Sequence, residues 1–353
     1  VFKLEVLPAG HGDCLWIEYG DSASPRVVLI DGGARGTYKR ALKPKLAGLG
    51  REIELVVVTH VDGDHITGIL DLVTDETIDF HAKDIWFNGY RHLPDESPTT
   101  LGPVQGEKLT DFLVKPRVRW NAAASGGVLA VSPNGDLPRM ELDGGLALTL
   151  LSPTLDGLAA LKPKWEREVA KAGLDPNAPR GEEAVSEEFT LLDAAPPDIA
   201  ALAQSPFTED DSEANGSSIA VLLEFEQQRL LLAGDAHPHN LHAAIGQLRG
   251  SSKFALSACK LSHHGSKGNV SRQLLETLDC KMYIFSTNGS HFQHPDREAV
   301  ARVIMFGGDN PTLAFNYRSA YTTIWDSKTL KEKYKYAAEF PKNDSGGLEL
   351  VFR

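Results

Sequence analysis

The stretch VVVTHVDGDHITGI, Val56 to Ile69, constrains the fold of this chain more than any other. Leu55–Thr59 reads as an apolar strand of the kind buried on both faces, and the apolar spacing resumes at Ile66–Val73 as a helix. Between them, His60, Asp62, Asp64 and His65 place four ligand-type side chains within six positions. Imidazole and carboxylate are ordinary ligands of divalent ions, and α/β sheets put their sites at strand ends. His60 and Asp62, two apart in an extended segment, share a direction while Asp64 and His65 face elsewhere, so one loop could serve two ions. The plainer reading is a polar loop in which Asp64 caps the next helix; the density of ligand-type residues weighs against it. An EF-hand is excluded, because Ile66 stands where a ligand is needed and the twelfth position is Val73.

The chain on either side alternates strands and helices. Lys3–Leu7, Leu15–Tyr19 and Val27–Ile30 are short strands, set off by turn residues at 20–22 and 31–33. Tyr38–Leu49 has helical spacing and ends at Gly50, and Asp84–Phe87 is a further strand. From 90 to 214 prolines cluster, and Glu182–Glu188 and Glu209–Glu213 are acidic runs. With one strand-like piece at Leu146–Leu151, this span reads as a loop-rich insertion, either a lid or a solvated spacer. Regular patterning returns with a hairpin, Ile219–Phe225 and Arg229–Leu232, that runs into Ala233-Gly234-Asp235. A strand at Leu256–Leu261 ends in Ser262-His263-His264-Gly265-Ser266, Arg272–Leu278 is a helix, and Met282–Ser286 is a strand followed by Asn288 and His291.

Three of these strand ends repeat the theme of the first. Asp235 emerges from the apolar run LLLAG, where desolvation disfavours a bare carboxylate unless a metal or donor offsets it; a helix cap is the bland alternative. For His263 and His264 the bland alternative is one buried, hydrogen-bonded imidazole and one exposed. His291 and His294 have the weakest claim, and His237, His239 and His242 read as helix surface.

Taken in order, His60-x-Asp62-x-Asp64-His65, Gly234-Asp235 and His263 resemble the metal-ligand motifs of the metallo-β-lactamase superfamily. The resemblance extends to the soluble hydrolase-like domain of ComEC-type DNA-uptake proteins, through VLPAGHGD at 6–13, VVLIDGG at 27–33, the Asn215 to Leu223 strand, LLLAGDA, LSHHGS and His294-Pro295. It implies a single α/β domain over 1–353, a metallo-β-lactamase-like four-layer αββα sandwich with a large loop-rich insertion at 90–214. It also accounts for Asp62, since the ComEC-like branch can carry Asp where most of the superfamily has a second histidine. One departure is larger: the separate histidine expected shortly before the Ile219 strand is absent, and Asn215 or Ser217 stands near its place. The resemblance thus implies a first site of His60, Asp62, Asp235 and Asn215, and a second of Asp64, His65, His263 and the shared Asp235. The first is oxygen-rich, which favours Mn²⁺ or Mg²⁺ over Zn²⁺ or leaves it weakly filled. The expected cofactors are one or two divalent ions, Zn²⁺ or Mn²⁺.

On this reading a bridging water of lowered pKa attacks phosphorus or a carbonyl. Asp64 would orient it, His264 or His294 would stabilise charge or protonate the leaving oxygen, and Asn215, Ser266, Lys267 and Asn288 would contact substrate. The expected function is a metal-dependent phosphodiesterase or nuclease, with ester, thioester or lactam hydrolysis on the same site as one alternative and a degenerate metal-binding scaffold as another. Thirty-six Lys+Arg against 48 Asp+Glu give a formal charge of −12, which argues against a broad duplex-DNA surface and points to a small phosphodiester or single-stranded substrate. Neither a Gly-x-Ser-x-Gly elbow nor a phosphate-binding Gly-Lys-Ser/Thr loop is present. Three cysteines without a C-x-x-C pair fit a reducing compartment, and no apolar run is long enough to span a bilayer, so a cytoplasmic location without membrane contact is expected.

Overall fold

The computed structural model describes residues 1–94, 104–132, 135–172, 196–343 and 345–353. Its first sheet contains β1 (Phe2–Val6), β2 (Leu15–Tyr19), β3 (Arg26–Ile30), β4 (Leu55–Val57), β5 (Ile85–Trp86) and β16 (Leu348–Val351), in the order β16-β1-β2-β3-β4-β5. The second contains β6 (Arg139–Glu141), β7 (Ala147–Ser152), β8 (Ala220–Phe225), β9 (Gln228–Leu232), β11 (Ala258–Lys260), β13 (Met282–Phe285), β14 (Thr312–Phe315) and β15 (Ala337–Glu339), in the order β15-β14-β13-β11-β9-β8-β7-β6. A small parallel pair, β10 (Phe254–Leu256) and β12 (Leu278–Cys280), stands beside it.

Alternation along the strands divides the apolar side chains among three cores. In β3, Val28 and Ile30 join the core between the sheets while Val27 and Leu29 face outward. In β8, Val221 and Leu223 point inward and Leu222 outward; β9 does the same with Leu230 and Leu232 against Leu231. A strand apolar at every position is therefore buried on both faces, which is what its composition requires. The first sheet's outer face is covered by α1 (Lys43–Ala47), α2 (Gly63–Thr74), α3 (Val104–Leu113) and α4 (Leu155–Ala172), with Leu46, Ile66, Leu109 and Leu158 in the core beneath them. The second sheet is covered by α5 (Ile199–Ala203), α7 (Pro238–Arg249), α8 (Arg272–Thr277), α9 (Arg297–Phe306) and α10 (Lys328–Tyr334), while the single turn α6 (Glu213–Gly216) lies just before β8. The expected αββα sandwich is the architecture found.

Some boundaries differ from the sequence reading. The helix expected from Ile66 begins at Gly63, so Asp64 and His65 lie in its first turn; Asp62 takes the N-cap position and makes no side-chain cap bond. The strand expected over Leu256–Leu261 is two strands broken at Ser257, one paired with β12 and the other with β9 and β13. Within 90–214, β7 is wholly buried and pairs antiparallel with β8, and α3 and α4 pack against the first sheet, so the described part of this span is woven into the sandwich. The acidic run Glu182–Glu188 lies outside the described residues. Among the described residues no helix is long and apolar enough to cross a membrane.

Candidate metal centre

The strands β3 and β4 run parallel, as do β9, β11 and β13, and the C-terminal ends of both sets meet at one edge of the sandwich. β3 runs into Asp31, β4 into Thr59 and His60, β9 into Asp235, β11 into His263 and His264, and β13 into Ser286. The loop between β1 and β2 adds Asp13. The chain makes several of these exits in backbone conformations that side chains resist: Asp31, His263 and His264 have φ of 59°, 48° and 56°, in the left-handed region.

The centre is organised about one oxygen. Asp235 Oδ2 lies 3.3 Å from His65 Nε2, 3.6 Å from His264 Nε2, 3.9 Å from His60 Nε2 and 4.0 Å from His263 Nε2. Asp64 Oδ2 adds contacts of 3.3 Å to His264 Nε2 and 3.8 Å to His65 Nε2, and Asp62 Oδ2 is 3.6 Å from His60 Nε2. Each imidazole is held by its other nitrogen. His65 Nδ1 faces Asp31 Oδ2 at 2.7 Å, His264 Nδ1 donates to the Ser286 carbonyl at 2.9 Å, and His60 Nδ1 meets the Thr59 hydroxyl at 3.0 Å. Thr59 passes this order on, since its own hydroxyl and backbone N–H donate to Asp31 at 2.7 and 2.8 Å.

These residues fit a divalent metal. The Nε2 atoms of His60, His65 and His264 and Asp235 Oδ1 are buried without hydrogen-bond partners. An unpartnered buried polar group costs about 1–3 kcal/mol, and the three imidazole nitrogens, which converge on Asp235 Oδ2, are satisfied together by a cation. Anchoring each imidazole through Nδ1 is the usual support for a metal-binding Nε2. Burial is the largest influence on each charge here and opposes it, but the opposite charges outweigh it. Asp235, Asp13 and Asp64 raise the His264 imidazole to about 9, and Asp235, Asp31 and Asp64 raise His65 well above its ordinary value. His65 and His264 in turn hold Asp64 and Asp235 below the usual carboxylate range.

Of the residues named from sequence, His60, Asp64, His65, Asp235 and His264 come together at the core of the centre, while the Asp62 side chain stands half-exposed at its rim. His264, expected as an acid or charge stabiliser, is wedged between Asp64 and Asp235 and is almost wholly buried. His263, expected beside Asp64 and His65, lies further out, with its ring 5.3 Å from that of His294. Asn215 Nδ2 donates to Asp210 Oδ2 at 2.7 Å and faces His263 Nδ1 at 3.3 Å. Ser266 is buried and its hydroxyl accepts from Gly268 N–H, Lys267 is exposed, and Asn288 uses its side-chain oxygen within its own turn, accepting from Ser290 N–H.

Sequence reading missed Asp13, Asp31, Thr59, Asp210, Lys260 and Asn269. Lys260 had a signal, as the only charged residue in an apolar strand. Its side chain follows the alternation of β11 into the core between the sheets, where Nζ pairs with the Asp13 carboxylate, donates to the Gly234 carbonyl at 3.1 Å and lies 3.9 Å from Asp235 Oδ1. Asp210 was hidden in an acidic run, and Asp31 in a glycine turn.

No family model matches the chain, and no curated protein is similar to it in sequence. Solved structures are similar to it in fold. The diiron β-hydroxylase CmlA from Streptomyces venezuelae is 12% identical with a TM-score of 0.43, over 99% of this chain and 54% of that one, so this chain spans about half of CmlA. The metallo-β-lactamase fold protein YhfI from Bacillus subtilis is 8% identical with a TM-score of 0.42, over 99% of each chain. Zn²⁺-bound PqqB from Methylobacterium extorquens is 11% identical with a TM-score of 0.40, over 99% of this chain and all of that one. These likenesses concern the layered architecture, and the assignment of the centre stands on its own distances.

Proposed function

We propose that this protein is a metal-dependent hydrolase of phosphodiester bonds, with a small or single-stranded substrate. The observation that carries the metal-dependent part is the ring of imidazole Nε2 atoms, 3.3–4.0 Å from Asp235 Oδ2, each ring anchored at Nδ1. His60, Asp62, Asp64, His65, Asp235 and His264 would hold the metal, either Zn²⁺ or Mn²⁺. Divalent ions there would polarise a phosphoryl oxygen and acidify water. Asp31 and Thr59 fix His65 and His60 in orientation, so the site is built before substrate arrives. His264 is too deep to meet a leaving group, which leaves the rim imidazole of His294, with Nδ1 3.6 Å from Asp296, as our choice: burial favours its uncharged form, so it can take a proton from the attacking water and hand that proton to the leaving oxygen. The preference for phosphorus over a carboxylic ester rests on the ComEC-type sequence blocks, and the preference for short or single-stranded substrates on the formal charge of −12.

The test is a substrate panel on metal-reconstituted protein: bis(p-nitrophenyl) phosphate, a single-stranded oligonucleotide, p-nitrophenyl acetate and a cephalosporin. Turnover of either phosphodiester, abolished by Asp235→Asn in a folded protein, is the expected result. Turnover of the ester or lactam alone overturns the phosphodiester reading, and no turnover of any of them overturns the hydrolase reading.

A further inference from the structure

We propose that Phe292, with the imidazoles of His11 and His291 beside it, is a stacking platform at the mouth of the centre that takes one nucleobase of the substrate, next to the scissile phosphate. This deepens the phosphodiester reading and rests on it for the phosphate.

Phe292 is the most exposed phenylalanine among the described residues, with 53% of its surface in solvent. Single apolar residues on a surface are ordinary; this one is set apart by what surrounds it. Four imidazoles approach its ring, with centroids 4.1 Å away for His291, 5.9 Å for His294, 6.4 Å for His263 and 6.5 Å for His11. Those of His11, His263 and His291 are inclined to it at 71–83°, so they flank the ring without lying flat upon it, and its open half can still receive a planar group. Phe207, the other exposed phenylalanine, already has the Arg302 guanidinium 5.2 Å from its centroid.

The rings step from solvent to the centre. Phe292 stands beside His263 and His294, whose own rings are 5.3 Å apart, and His263 Nε2 is 4.0 Å from Asp235 Oδ2. A nucleotide has its parts in the same order: a base, one sugar, then phosphate. With the phosphate at the centre, the base lies one ring further out, at Phe292.

The loop that carries Phe292 is fastened at both ends. Asn288 N–H donates to the Gly10 carbonyl at 2.9 Å, and Gly10 N–H donates to the Tyr317 hydroxyl at the same distance. At the far end Asp296 N–H donates to the Gly265 carbonyl at 3.0 Å, while Asp296 Oδ2 accepts from Lys267 N–H at 2.7 Å. Between them Gln293, left-handed at φ 61°, closes a turn by donating its N–H to the Gly289 carbonyl at 3.1 Å. The tie to Gly10 also sets the His11 ring 5.0 Å from that of His291. A loop held this firmly presents its phenyl ring ready-made, so a ligand that stacks there spends little on ordering it.

The chemistry of the surroundings selects a base. A phenyl face accepts the π face of any nucleobase, and the imidazoles around it carry nitrogens that can meet the heteroatoms on a base edge. An acyl chain would find one ring and polar neighbours. A formal charge of −12 disfavours a grip made of phosphate contacts along a strand, which leaves stacking as the available one.

The experiment titrates the metal-reconstituted full chain, by calorimetry, with adenosine 5′-monophosphate and with ribose 5-phosphate, which share sugar and phosphate and differ in the base. Wild type should bind the nucleotide about 5–150-fold more tightly, the range for one base stacked on an aromatic ring. Phe292→Ala should remove most of that ratio and Phe292→Trp should restore it, with circular dichroism verifying the fold of both. In turnover, thymidine 5′-(p-nitrophenyl phosphate) should exceed methyl p-nitrophenyl phosphate in kcat/KM, chiefly through KM, and Phe292→Ala should narrow the gap. A nucleotide that binds no more tightly than ribose 5-phosphate overturns the proposal, and so does a ratio that Phe292→Ala leaves intact; turnover of methyl p-nitrophenyl phosphate in either case leaves the phosphodiester reading standing. A ratio that depends on Phe292, in a protein that turns over neither diester, supports the platform and counts against the hydrolase reading instead.

Discussion

Asp31 is wholly buried, yet its two oxygens accept the Thr59 N–H and hydroxyl and face His65 Nδ1, so its carboxylate sets the direction of two strand ends at once. Asp31→Ala should weaken metal binding about 10–100-fold, the usual effect of losing such a support; competition against a chromophoric chelator measures it. Lys260 and Asp13 make a different case. Lys260→Met leaves a buried carboxylate without its cation and should cost about 3–5 kcal/mol, most of it recovered in Lys260→Met/Asp13→Asn, since removing one partner is worse than removing both charges. Urea unfolding of the two variants is the check. At this scale the sequence was a good guide to what emerges from apolar strands: His60, Asp64, His65 and Asp235 were all marked by the abrupt change from apolar to polar. That the His264 ring lies inside the centre and the His263 ring at its mouth was beyond it, because that depends on two φ angles which no spacing reveals.

Among elements, the junction of β4 and α2 does most to shape the centre. Its helix packs backbone against backbone on the turns that follow β1 and β3: a Cβ on Gly68 would sit 1.9 Å from the Gly32 carbonyl oxygen, and one on Gly12 only 1.8 Å from that of Asp64. Neither neighbour is a side chain that could swing away. Gly68→Ala should therefore destabilise the protein by about 1–3 kcal/mol, the range for forced overpacking, read as a shift in the urea midpoint with unchanged slope. Periodicity located this helix but began it at Ile66, because Gly63, Asp64 and His65 carry no apolar signal. It also merged β10 with β11, whose residues are equally apolar but pair with different partners on either side of Ser257.

For the whole molecule, the side chains that converge on the candidate centre come from both halves of the sandwich: Asp64 and His65 from the first, Asp235 and His264 from the second. An ion bound only by the native state stabilises it by mass action, about 4 kcal/mol at a thousandfold excess over Kd. Treatment with a strong chelator should thus lower Tm, and re-addition of the metal should restore it, as scanning calorimetry would show. The four-layer arrangement was implied only by the family resemblance, while burial on both faces was legible in Leu55–Thr59, for only a sheet covered on both sides can bury such a strand. Strand order was not, because pairing between distant segments leaves no local mark.

The pairing of β16 with β1 sets Val351 opposite Lys3 and Leu348 opposite Val6, almost the full chain apart. During synthesis on a ribosome, five strands of the first sheet exist long before the sixth, and the outer edge of β1 stays open to any passing strand. Lys3 and Glu5, held in ion pairs with Glu18 and Lys45 as well as with each other, put charge along that unfinished edge. Charge there discourages wrong partners until the right one is made.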